Sequence, residues 1–196
     1  RRGQHVLCIV GEEISPRYNH YLAFGIKEPI VVWKNHSNPQ EVIDAVTAQG
    51  GFGFIAHPDH AGAPLANVRA FPWLDWNVQG FAGIGIWDLL GDWTSALRTP
   101  WSTWFACLFP SAVLKGPAAV TLERWDALTQ SGHCVAIGEI DNHGSHRSYF
   151  GWPRITFPFA YAFRTIRTHV LLSQPLSGRR EDDEAHILEA LRRGRS

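Results

Sequence analysis

The chain alternates short apolar runs with segments of helical period. Runs at 5–10, 21–26, 52–56, 80–87, 133–138 and 168–172 read as strands, and several are apolar on both faces, as parallel strands between two layers are. One helix is written out in full between the second and third runs. Asn38 is its cap, Pro39 its first position and Glu41 lies in its first turn; Val42, Ile43, Ala45 and Val46 form the apolar stripe, and Gly50-Gly51 ends it. A second helix is expected from about Thr121 to Ser131, with Leu122, Trp125 and Leu128 on one face and Gly132 as the stop. A third, over Asp182 to Arg193, places acids at its start and arginines at its end, as the helix dipole prefers. Strand and helix in alternation predict a parallel α/β barrel or a doubly wound sheet, whose functional groups gather at the carboxyl ends of the strands.

One stretch does not fit the alternation. Trp101 to Leu114 is the most apolar part of the chain, but Pro110 interrupts it and it falls short of the ~20 residues that span a bilayer. It reads as an aromatic insertion over 97–117, packed into the fold or closing a pocket as a hydrophobic lid. No transmembrane segment is expected.

Composition narrows the class. The 196 residues, 45% of them hydrophobic and nine of them Trp, can bury a large core as a single domain over 1–196 or as part of a larger protein. Eighteen basic residues balance eighteen acidic ones, so no net field draws nucleic acid or an anionic membrane, and a small-molecule partner is expected. Cys8, Cys107 and Cys134 form no CxxC pair, which argues against a disulfide framework and a thiolate zinc site; they read as small buried residues, with Cys134 nearest the candidate chemistry. The chain starts at Arg1, has no Met and stops at Arg195-Ser196 just after a helix, which reads as a segment of a longer protein. Cytoplasmic and periplasmic placement both stay open.

The chemistry-bearing residues follow the strands. Phe54-Ile55-Ala56-His57-Pro58 and, about eighty residues on, Ala136-Ile137-Gly138-Glu139-Ile140-Asp141-Asn142-His143-Gly144 each set imidazole or carboxylate just past an apolar run. Glu13 follows the first strand after Gly11, His57 the third, and Asp141 with His143 the fifth, so four ligand-type side chains are placed at one end of the sheet. His20 is the exception, since it precedes the second strand. Residues two apart in extended chain point the same way, which lets Asp141 and His143 face one centre or two adjacent ones. Oxygen and imidazole ligands without thiolate suit zinc, manganese or iron at a catalytic site. Singly, each has a plainer reading: a lone His is more often a core or surface residue, and Glu13 can be a loop acid or cap with Glu12 taking its place. The ordered set is what points to a metal.

In order, Gly11-Glu12-Glu13-Ile14-Ser15, His20-Tyr21-Leu22-Ala23-Phe24-Gly25, Ala56-His57-Pro58, Gly85-Ile86-Trp87-Asp88 and Gly138-Glu139-Ile140-Asp141-Asn142-His143 resemble the later motifs of the PHP-domain (polymerase and histidinol phosphatase) metallohydrolases. Leu114-Lys115-Gly116-Pro117, Arg124-Trp125-Asp126 and the segment Phe163 to Val170 look most like the carbaryl-hydrolase-like branch. The resemblance implies a distorted (β/α)7 TIM-like barrel, N-terminally truncated here, with two or three divalent metals at its carboxyl face. It makes Glu13 a bridging ligand, His20 and His57 ligands of the second metal, Asp141 of the first and His143 of a third. The chain departs from the family in several places. The opening His-x-His motif, its following acid and the histidine of a Thr-Asp-His motif are absent, Asp88 stands where Asn is usual, Gly85 replaces a common Glu, and Glu139-Ile140-Asp141-Asn142-His143 replaces a Gly-Ser-Asp-Ala-His type of sequence.

That resemblance implies hydrolysis by metal-activated water, of a phosphoester first and of a carbamate or related ester as the alternative. His143, or a group N-terminal to this chain, would donate the leaving-group proton, with Asp141 beside it. Arg164 and Arg167 are candidates for binding an anionic substrate, and His60 for orienting His57. A second class of reading is a PHP-like module that has lost catalysis and serves for binding, with Trp93, Trp101, Trp104, Phe105 and Phe109 as its surface. A serine hydrolase is weaker, because no Gly-x-Ser-x-Gly elbow occurs and Ser145 has no nominated partners.

Overall fold

Five short strands form one mixed sheet: β1 (Gly11–Ile14), β2 (Tyr21–Phe24), β3 (Phe52–Ile55), β4 (Gly83–Asp88) and β5 (Val135–Glu139), hydrogen-bonded in that order. The computed structural model describes residues 6–32, 38–143, 146–149, 152–155 and 157–195. β2 is antiparallel to both neighbours, whereas β3, β4 and β5 are parallel. The connection over 15–20 is too short for a crossover, which takes a dozen or more residues, so β1 and β2 can only pair antiparallel. Reversal of β2 leaves β1 running with β3, β4 and β5.

A period of two sorts the strand side chains onto two faces. Ile14, Tyr21, Ala23, Ile55 and Ile84 pack on one face with Val42, Ile43 and Val46 of α1 (Pro39–Ala48) and Trp125 and Leu128 of α4 (Ala119–Ser131). Leu22, Phe24, Phe52, Phe54, Val135 and Ile137 occupy the other face, against Leu188 and Leu191 of α6 (Arg180–Arg192). Phe54, Ile55 and Ile84 are fully buried, each contributing roughly 1.5–3 kcal/mol over exposure. The three anticipated helices form, and α1 starts at its cap: Asn38 accepts the Gln40 N–H at 2.9 Å, a cap whose loss typically costs ~1 kcal/mol. A separate core unites α2 (Leu89–Ser95), α3 (Pro100–Leu108) and α5 (Phe159–Thr165) through Leu89, Trp93, Ala106, Phe157 and Ala162. The hairpin β6 (His146–Tyr149) with β7 (Trp152–Ile155) completes the elements.

Several expectations are corrected. The sheet is open, with β1 and β5 at its edges, and among the described residues there are six α-helices; it is not a (β/α)7 barrel. A (β/α) barrel needs parallel strands closing on each other, and the β1–β2 hairpin breaks the first condition. The strand expected at 5–10 is not formed over its described residues; Val6 and Val10 are 83% and 77% exposed and pairing starts at Gly11. The run 168–172 is no strand either. It lies beside β5 through a side chain, with the Gly138 N–H donating to Thr168 Oγ1 at 3.0 Å, while Leu171 N–H donates to Arg195 O at 2.7 Å. The aromatic insertion is α3 followed by a 3-10 turn at Pro110–Val113. It packs through Ala106 and Cys107 and turns Trp101, Phe105 and Phe109 outward. Cys8 is exposed, whereas Cys107 and Cys134 are buried. Among the described residues no helix is long and apolar enough to cross a membrane.

Candidate metal centre

Reversal of β2 resolves the position of His20. Tyr21 pairs with both Ile14 and Ile55, so the residue before β2 lies level with those just after β1 and β3. The Ala56 N–H donates to His20 O at 3.0 Å, fixing that alignment. Glu13, from the edge strand β1, completes the group. Glu13, His20 and His57 each present one ligand atom, all within 4.8 Å of one another, and could hold a metal ion. His20 Nδ1 lies 3.0 Å from Glu13 Oε1 and 3.3 Å from His57 Nε2, and His57 Nε2 lies 3.6 Å from Glu13 Oε1.

The hydrogen bonds around the group determine what it lacks. Pro16 O lies 2.9 Å from His20 Nε2 and accepts its proton, so in the neutral ring Nδ1 carries a lone pair. Nδ1 and Glu13 Oε1 are then two acceptors face to face, and only a cation or a proton relieves them. Without a cation, His57 supplies that proton from Nε2, 3.6 Å from Glu13 Oε1. Burial opposes its charge, but Glu13, followed by the fields of Glu139, Asp88 and Asp141, more than offsets burial and raises its pKa to about 9. Glu13 responds in the opposite sense: its contacts with the His20 and His57 imidazoles hold its carboxyl far below the usual range. Ser15 Oγ also donates to Glu13 Oε1, at 2.9 Å.

The loop after β3 is pinned from two sides. Asp59 accepts from Thr121 Oγ1 and from Arg124 Nη2, each at 3.0 Å, tying the loop to α4, and the Arg124 guanidinium lies 4.2 Å over the Trp76 ring. From β5, the buried Glu139 accepts the His57 backbone N–H with both carboxylate oxygens, at 3.1 and 3.2 Å. Burial, then the neighbouring Asp88, raises the Glu139 pKa to about 8. Asp88 caps α2 by accepting from Leu90 N–H and Gly91 N–H; burial and Asp141 push it up to about 7.

The other expected residues fall at different distances from the centre. Burial raises the Asp141 pKa while the charge of His57 lowers it; its backbone sits at φ 39°, the left-handed region unusual for a non-glycine. Its Oδ1 lies 3.8 Å from His143 Nε2, whose side chain is 65% exposed. His60 is buried with its ring edge-on to His57, 5.6 Å between centroids, and its N–H donates to His57 O at 3.0 Å. Burial, then the charges of His57 and His20, lowers its pKa to about 4. Glu12 does not compete with Glu13, since its carboxylate accepts the Ile30 N–H at 2.9 Å. Arg164 is exposed on α5, and Arg167 lines a cavity with His133, Cys134 and Thr168 instead of the space beside His20. Gly144 and Ser145 lie outside the described residues.

A cleft of about 990 Å³ opens beside His20, bounded by Ser15, Arg17, Tyr18, Val68, Arg69 and Phe71. His20 itself lines this cleft, and the Phe71 ring, which lines it too, packs on His20 and His60 at 5.2 and 5.6 Å between centroids. Among the described residues neither Arg17 nor Arg69 has a carboxylate partner; Arg17 lies over Tyr18 at 5.4 Å. Sequence reasoning assigned no role to Arg17, Arg69 or Glu139. For Glu139 one signal existed, because glycine inside a strand, as at Gly85, marks close approach by another group. The chain matches no family model, no curated protein and no solved structure.

Proposed function

We propose that the chain is a metal-dependent hydrolase, acting first on phosphoesters, that binds zinc, manganese or iron at Glu13, His20 and His57. The observation that carries this reading is the convergence of a carboxylate oxygen and two imidazole nitrogens, with the Pro16 carbonyl aiming a lone pair of His20 into the same space. The resemblance to PHP-domain metallohydrolases supports it, and extends the set to two or three ions through Asp141 and His143. A bound divalent ion lowers the pKa of water to ≈ 7 and so supplies a nucleophile at neutral pH.

The chain's own groups do the rest. Loading the site requires His57 Nε2 to give up its proton, which leaves Glu13 charged and both imidazoles neutral. Asp141 and exposed His143 form the proton-transfer pair, His143 delivering a proton to the leaving group from its solvent side. Arg17 and Arg69 take the anion-binding role expected of Arg164 and Arg167, since they line the cleft that reaches His20. A carbamate or neutral ester would use the same centre without needing these arginines.

The test is elemental analysis of the purified chain after dialysis without chelator, followed by assay with 4-nitrophenyl phosphate. Roughly one or more equivalents of Zn, Mn or Fe, with phosphate release abolished by chelator and restored by metal, are expected. Metal without turnover of any ester would replace the hydrolase reading by a non-catalytic binding module. Absence of bound metal at all would overturn the centre itself.

A further inference from the structure

Glu139 continues the parity of Val135 and Ile137, so it points to the face of the sheet shared with Phe52 and Phe54. His57, its partner, follows β3, two strands away, so the side chain must cross β4. The crossing is at Gly85: a Cβ built there would lie 1.0 Å from Glu139 Oε1 and 2.2 Å from its Cδ. No other residue leaves that passage open. At its end both oxygens accept the N–H of His57, a residue held at φ 29°, where non-glycine backbone rarely rests. Both residues are buried, at 8% and 6% exposure. Nothing else among the described residues bonds to that N–H.

We infer that Glu139 is the positioning residue of the metal centre, reaching through the gap at Gly85 to hold the His57 backbone so that Nε2 faces Glu13 and His20. It acts through His57 and need not touch the ion. This rests on the metal reading above. It makes Gly85 a requirement of the site, although Gly85 supplies no functional group.

The test is titration of the metal-free chain with Co²⁺, followed by visible absorption, and with Zn²⁺ by competition, in the wild type, Glu139→Ala, Glu139→Gln and Gly85→Ala. Circular dichroism checks that each is folded. Glu139→Ala and Gly85→Ala are expected to weaken binding about 10- to 100-fold and alter the Co²⁺ spectrum, the usual effect of losing a group that orients a ligand. Glu139→Gln should stay within about threefold of wild type with the same spectrum, because its amide oxygen still accepts the His57 N–H. If Glu139→Ala does not fold, the other two variants decide: loss in Gly85→Ala with retention in Glu139→Gln supports the inference. Wild-type affinity in Gly85→Ala or Glu139→Ala overturns it. A loss in Glu139→Gln as large as in the alanine variant also overturns it, by making the charge rather than the hydrogen bond the operative feature. Failure of the wild-type chain to bind either ion, seen before any substitution, is instead the failure of the metal reading.

Discussion

Glu13 and Glu139 both face His57, one at its ring and the other at its backbone, and the fold drives their carboxyls in opposite directions. Glu13, on the β1–β2 hairpin, keeps a third of its side chain exposed and stands against two imidazoles, so its charge is favoured. Glu139, on the parallel β4–β5 pair, is enclosed and stands beside Asp88 in register, so its charge is opposed. The hairpin therefore supplies a ready anion to the centre, while the parallel pair stores acids that hold backbone in place. A cation held at Glu13, His20 and His57 would draw its charge balance from the first region and the placement of His57 from the second.

The largest effect expected is from His57→Ala, which removes the residue the two regions share. Cation affinity should fall by about a hundredfold or more, read by calorimetry with Zn²⁺ on the metal-free chain. An unchanged affinity would show that the hairpin alone makes the site.

Acid strength gives the next test. Glu139, Asp88 and His57 have pKa values raised to about 8, 7 and 9 from ordinary values of 4.5, 3.8 and 6.5. A raised pKa stabilises the fold fully below the ordinary value, and that contribution is lost as pH climbs through the folded one. Glu13 has the opposite sign, contributing above 4.5 and losing it on acidification. The metal-free chain should therefore melt at lower temperature at about pH 9 than at about pH 6, and added Zn²⁺ should raise the midpoint most at the alkaline end. Glu139→Gln should flatten the fall between about 4.5 and 8; an unaltered pH profile would count against a raised Glu139.

The smallest effects concern the cleft. Arg17→Ala and Arg69→Ala should each raise KM for 4-nitrophenyl phosphate by about tenfold with little change in kcat, the mark of lost uniform binding. Arg164→Ala and Arg167→Ala should leave both constants unaltered. The reverse pattern would return the anion site to the segment after α5.

Much of the architecture was readable because it is local. The Asn38-Pro39 start of α1, the Gly132 stop of α4 and the apolar runs of β2 to β5 depend on neighbours in sequence, and each forms as read. Strand direction did not follow from the runs. His20 looked misplaced until the short 15–20 connection is seen to force a hairpin, which turns the start of β2 toward the ends of β1 and β3. The same hairpin excludes the barrel that the motif order suggested. Likewise Trp101 and Phe109 read as core, lid or surface, because apolar character does not decide which side of a helix meets the protein, and here Ala106 and Cys107 do.

The sequence by itself determined the identity of the ligand-type residues and three of the six described helices, because residue chemistry and short-range periodicity carry these. Only the tertiary structure decided that Glu13, His20 and His57 converge while Arg164 and Arg167 stay apart from them, and that Glu139 reaches His57 across Gly85. Those facts depend on contacts between residues as far apart in sequence as His57 and Glu139, set by strand order, direction and the space a missing side chain leaves, which no local pattern encodes.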